Sequence, residues 1–194
     1  MERNTMKLKM MNVIKKYGYY MLLGILLLSV VLTLVLVGVN NSKKSVGNVV
    51  QTNVSISPYL PVLNASIYKG YYGDELIYNS TLKQWETHNG IDFTAASGSK
   101  VFSIHDGKVI DVYSNVLEGS VVVVEHEDGL VSTYGSLDEQ VKVKVGNEVN
   151  RGQELGTISS TATSEADAGA HLHFSLLDNG KKIDPASYLN IEIK

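Results

Sequence analysis

The sequence predicts a mostly β domain, an antiparallel sandwich or barrel, carried behind a single N-terminal transmembrane helix. Three observations predict it: an unbroken apolar run near the start, a series of short β-branched runs cut by turn signals, and two histidine-bearing clusters that only a folded sheet would bring together.

The apolar run covers residues 17–39, with only one Ser and one Thr among its polar side chains. About 23 residues at 1.5 Å each cover roughly 35 Å, enough to cross a bilayer. Arg3, Lys7, Lys9, Lys15 and Lys16 precede it against the single acid Glu2, and Tyr17, Tyr19 and Tyr20 stand where interfacial aromatics belong. The positive-inside rule therefore expects residues 1–16 in the cytoplasm and everything after the span outside. A cleaved signal peptide fits less well, because the apolar core is too long and no small-x-small site follows it.

The 194-residue chain has a formal charge of −3; with five bases and one acid before residue 17, about −7 falls on the remainder. An acidic outer domain argues against nucleic acid as a partner. There is no cysteine, so disulfides and lipid attachment at cysteine are excluded. Residues 40–58, rich in Ser, Asn and Val without a helical period, are expected to form a stalk with one short strand at its end, and stalk and linker together are expected to run to residue 69. The folded domain is expected at 70–190.

Within it, residues 101–104, 107–113, 120–126, 130–134 and 141–145 are β-branched runs bounded by Asp-Gly, Gly-Ser and Gly-Asn signals. The run at 121–124 is continuously apolar, as a central strand covered on both faces would be. The Val-Lys alternation at 141–145 predicts a strand with one wet face. A short helix or helical turn is expected around residues 74–84.

His88 and Asp92, in Thr-His-Asn-Gly-Ile-Asp, and His171 and His173, in His-Leu-His-Phe, carry the ligand types that hold zinc. Histidines at i and i+2 point to one face of a strand. Gly90 disfavours a continuous helix through the first cluster and favours a loop entering a strand at Ile91. His88, Asp92 and one of the two later histidines would leave an open metal position, and the remaining histidine would orient or deprotonate a bound water. Isolated His105 and His126 read as packed or surface residues, and Trp85, the only tryptophan, as core or groove wall.

The run His88-Asn-Gly-Ile-Asp92, then Asp106-Gly-Lys-Val, then Lys144-Val-Gly-Asn-Glu-Val-Asn-Arg-Gly-Gln-Glu-Leu-Gly, then Gly169-Ala-His-Leu-His-Phe resembles the LytM-type domain of the M23 zinc metallopeptidases. That resemblance implies a LytM-type β-sandwich, Zn2+ on His88, Asp92 and His173, a catalytic role for His171, and peptidoglycan cross-bridges as substrate. One position departs from the pattern: active members carry a further histidine in Tyr-x-His-Leu, and here Ser136 stands in that place within Tyr-Gly-Ser-Leu. A serine hydroxyl cannot shuttle a proton near neutral pH as imidazole does.

Basic tail, single span, stalk, one LytM domain and Tyr-Gly-Ser-Leu together resemble the sporulation branch of that family. The resemblance implies a forespore-membrane protein that meets a mother-cell membrane partner, of the stage III sporulation protein AH kind, in a ring-like channel during engulfment. Against these stand an active cell-wall endopeptidase and a lipoyl-like adaptor. The adaptor leaves the four metal-type residues unexplained.

Overall fold

The structure, a computed structural model, describes residues 57–192 and, in the N-terminal segment, residues 15–20, 23 and 26–29. These N-terminal residues are helical. Among the described residues no helix is long and apolar enough to cross a membrane. Most of the expected span at 17–39, and the expected stalk as far as residue 56, lie outside the described residues.

The described domain is mostly β. Its strands are β1 (Ser66–Lys69), β2 (Tyr72–Asn79), β3 (Gln84–His88), β4 (Ile91–Thr94), β5 (Lys100–Phe102), β6 (Gly107–Asn115) and β7 (Gly119–Glu125). They continue as β8 (Leu130–Leu137), β9 (Glu148–Val149), β10 (Glu154–Thr157), β11 (His171–Asp178) and β12 (Lys181–Ile183), and a short helix, Pro185–Leu189, follows. Asp184 caps that helix by accepting hydrogen bonds from the Ala186 and Ser187 amides, with Pro185 in its first turn.

An eight-stranded antiparallel sheet runs β1-β4-β11-β8-β7-β6-β9, with β12 added to the far end of β11. The pairs β10-β5 and β2-β3 form two small sheets of their own. The layers are thus unequal, rather than the two matched sheets of an ordinary sandwich. Val101 of β5 and Leu155 of β10 share one buried core with Ile91, Val122, Val124, Tyr134, Leu172 and Phe174 of the large sheet. The continuous apolar run at 121–124 lies in β7, hydrogen-bonded on both sides by β6 and β8, as its composition requires.

Three expectations are corrected here. The segment around 74–84 is not helical; it is the β2-β3 hairpin. Tyr72, Ile77, Tyr78 and Trp85 favour the extended chain, and the Asn79 side chain turns it by accepting from the Leu82 amide at 3.0 Å. Residues 141–145 bury Val143 yet form no strand, because a turn in which Lys144 and Asn147 bond each other twice draws the chain away. The domain also begins before residue 70. Val62 is buried in its core, Tyr59 packs edge-on against Phe102, and β1 pairs with β4 as part of the sheet.

Trp85 is not a core residue: it is 66% exposed and stacks edge-on against Tyr78. His126 is a packed residue, bonded to the Asp106 carbonyl at 2.9 Å and to the Ser132 hydroxyl at 2.7 Å. His105 bonds the Tyr188 hydroxyl at 2.9 Å.

Candidate metal centre

Strand β11 alternates in the way its sequence demands: Leu172, Phe174 and Leu176 enter the core while His171 and His173 take the opposite face. Antiparallel pairing sets His173 directly across from Asp92 on β4 and from Gly135 on β8. His88 ends β3, and two loop residues, Asn89 and Gly90, return the chain into β4. Gly90 is required there, since a Cβ would stand 2.7 Å from the Phe174 carbonyl oxygen and 2.8 Å from His173 Nε2. The expected loop-into-strand arrangement of the first cluster is what the fold contains.

His88, Asp92 and His173, predicted far apart in the chain, thus meet. Asp92 Oδ1 lies 3.3 Å from His88 Nε2 and 2.8 Å from His173 Nδ1. His171 joins them from the same strand face. A fifth residue, Glu165, is not among the candidates singled out from the sequence. It comes from the turn Thr163–Ala168 just ahead of β11, and its carboxylate reaches His88 Nε2 at 3.3 Å, His173 Nδ1 at 3.2 Å and His171 Nε2 at 3.5 Å. Lys69, at the end of β1, bonds Glu165 at 3.1 Å and stands 3.5 Å from Asp92. An acid on an irregular turn follows no period, so only its place shortly before His171 hinted at it.

Ligand atoms of His88, Asp92, Glu165 and His173 all lie within 4.8 Å of one another. The measured edges of 2.8 to 3.3 Å compare with about 3.3 Å between ligands of a tetrahedral ion bound at about 2.0 Å. His88 Nδ1 donates to the Gly70 carbonyl at 2.6 Å, and His171 Nδ1 donates to that of Gly169 at 2.9 Å. A carbonyl only accepts, so each ring's Nε2 lone pair is aimed at the centre, the arrangement that tunes metal-ligating imidazoles. His88 Nε2, His171 Nε2 and Asp92 Oδ2 are buried without a hydrogen-bond partner. Buried orphans of this kind are costly unless something electropositive completes them. The residues fit a metal ion.

Their electrostatics point the same way. Burial disfavours the charged forms of His88 and His173, but the carboxylates of Asp92 and Glu165 beside them outweigh it and raise their pKa values to about 8 and about 10. Burial likewise works against the Asp92 and Glu165 carboxylates, yet the surrounding imidazoles hold both below their ordinary range. Without a metal, protons on the imidazoles and the Lys69 ammonium balance the two carboxylates; a metal cation would take the protons' place.

Ser136 contributes nothing to it. Its side chain is fully buried and its backbone is left-handed, with φ 59°; its hydroxyl donates to the Ser159 carbonyl at 3.3 Å. The cleft beside the centre, about 260 Å³, is lined by Glu86, His88, Glu118, Gly135, Glu165 and His173 among others.

Comparison with known proteins decides the family: residues 86–185, more than half the chain, match peptidase family M23. The chain belongs to peptidase family M23. Within M23, the peptidoglycan DD-endopeptidase ShyB of Vibrio cholerae is 37% identical over 97 residues, 50% of this chain and 22% of that protein. Stage II sporulation protein Q of Bacillus subtilis is 30% identical over 146 residues, 69% of this chain and 50% of that protein. The chain spans half or less of the length of these curated relatives. Among solved M23 structures, the SpoIIQ–SpoIIIAH pore-forming complex contains a chain that superposes with a TM-score of 0.60 at 28% identity, covering 69% of this chain and 90% of that one.

Proposed function

We propose that this chain is a membrane-anchored sporulation protein whose extracytoplasmic M23 domain holds Zn2+ on His88, Asp92 and His173. The domain binds a mother-cell membrane protein similar to SpoIIIAH, in an intercellular channel or adhesion complex during engulfment. The supporting observation is the extent of the likeness to SpoIIQ: it spans 69% of this chain, beyond the M23 match at 86–185, and a chain of the solved SpoIIQ–SpoIIIAH complex is covered over 90% of its length. In this reading residues 1–16 are cytoplasmic and 17–39 anchor the protein in the forespore membrane.

The chemistry of the cleft agrees with binding rather than cutting. Peptide hydrolysis needs a group to hold charge developing on the carbonyl oxygen and a group to move protons. Ser136 stands where active relatives have imidazole, and its hydroxyl is turned away to Ser159. Zinc, when bound, would supply Lewis acidity and order the loops that carry its ligands.

A second reading, a zinc-dependent peptidoglycan endopeptidase, is favoured by His171, whose free Nε2 faces the centre as a proton-transfer group would. One experiment separates the two. The zinc-loaded protein is mixed with the purified outer domain of its own organism's SpoIIIAH-like protein and, separately, with peptidoglycan. A stable complex without released muropeptides is expected. Muropeptide release that His171→Ala abolishes, with no complex formed, would contradict the proposal.

A further inference from the structure

The turn Thr163–Ala168 lies across the cleft and is fastened on both sides. On one side Thr163 and Ser164 give their amides, at 3.1 and 3.2 Å, and their hydroxyls, both at 2.7 Å, to the carbonyls of Val116 and Leu117 in the β6-β7 turn. On the other, Asn79 donates to the Ser164 carbonyl at 3.1 Å, Ser80 bonds the Asp167 carboxylate, and the Asp167 amide donates to Thr81 Oγ1 at 3.2 Å. Between these ties Glu165 dips into the centre, its side chain 10% exposed. Glu165 also lines two hollows: the 260 Å³ cleft beside His88 and His173, and a 530 Å³ groove with Ile67, Lys69, Tyr78 and Asn79.

We propose that Glu165 is the resident fourth ligand of the metal and that Thr163–Ala168 is a strap which keeps the centre closed. The inference rests on the metal reading above and deepens it. A catalytic zinc site has three protein ligands and one open position, whereas a site with four is closed and structural. Glu165 stands at ligand-to-ligand distance from both His88 and His173, and Lys69 holds one of its oxygens in place. A peptide carbonyl or carboxylate reaches the metal only by displacing Glu165. Lifting the strap would also join the two hollows into one groove.

The test uses the full chain, stripped of metal and loaded with cobalt, and reads the visible spectrum with and without millimolar acetohydroxamate. The wild-type spectrum is expected to stay unchanged by the probe. Glu165→Ala is expected to bind cobalt at least about tenfold more weakly in chelator competition and to shift its spectrum when the probe is added. If Glu165→Ala does not fold, Ser80→Ala with Thr81→Val leaves every metal-facing residue in place. It removes two of the three ties to the hairpin, leaving only Asn79 to the Ser164 carbonyl, and its spectrum should respond to the probe. A wild-type spectrum that responds like the variant's, or unweakened cobalt binding by Glu165→Ala, overturns the strap alone. A chain that takes up no cobalt overturns the metal reading and the strap together.

Discussion

Gly90 shows how one residue without a side chain can decide a site. It separates His88 from Asp92, and its missing Cβ leaves room for the His173 ring and the Phe174 carbonyl. A backbone oxygen cannot step aside, so Gly90→Ala has to displace β11 or the ring. The substitution is expected to cost about 1–3 kcal/mol in stability and at least about tenfold in zinc affinity. Chelator competition and denaturant unfolding measure the two; unchanged zinc affinity would mean that His173 is not a ligand.

The same residues set a proton balance. With pKa values of about 8 and about 10 in the metal-free centre, His88 and His173 are both largely protonated at pH 7. A metal needs their lone pairs, so zinc binding should release on the order of two protons and tighten as pH rises. Calorimetry in buffers of different ionisation enthalpy reads this directly. Release of none would contradict the assigned ligands.

At the scale of the element, β11 is the piece on which core and site both depend. His171 and His173 face the centre while Leu172, Phe174 and Leu176 are buried in the core, so a one-residue slip would exchange the two faces. Phe174 is fully buried between Phe93 and Tyr134. Phe174→Ala is therefore expected to lower unfolding free energy by about 3–5 kcal/mol while leaving every ligand in the chain. A loss under about 1 kcal/mol in denaturant titration would mean that β11 is not anchored as described.

This element was readable in advance because its period of two was clean and its turn signals were plain. The same holds for β7 and for the loop from His88 into β4. Residues 74–84 misled because aromatic-rich, part-polar stretches suit a hairpin as well as a helix, and the Asn79 turn that decides between them is a side-chain bond. Residues 141–145 misled because alternation buries one face of any extended chain, whether or not a neighbour pairs with it. Glu165 was invisible for a third reason: its position follows from ties to Asn79, Ser80, Thr81, Val116 and Leu117, contacts between segments distant in the chain.

For the whole molecule, the metal links stability to pH. A histidine whose pKa rises on folding stabilises the fold below its unfolded value of about 6.5, and that contribution is lost as pH climbs through the folded value. The metal-free domain should therefore melt at lower temperature as pH is raised from about 6.5 through 8 toward 10. Saturating zinc should remove the trend, because the ion replaces the protons and stabilises the folded state by mass action. Thermal melts across that range test both halves, and a metal-free melting temperature that rises over the window would contradict the assignment.

In the proposed reading His88, Asp92 and His173 hold zinc in an M23 domain where Ser136 replaces one imidazole of the resembled pattern. The most direct measurement is the zinc content of the full chain after exhaustive dialysis, beside that of His88→Ala and Asp92→Ala. Close to one zinc per chain is expected for the wild type and almost none for either variant. A wild-type protein that emerges without zinc, or variants that retain it, would contradict the zinc assignment.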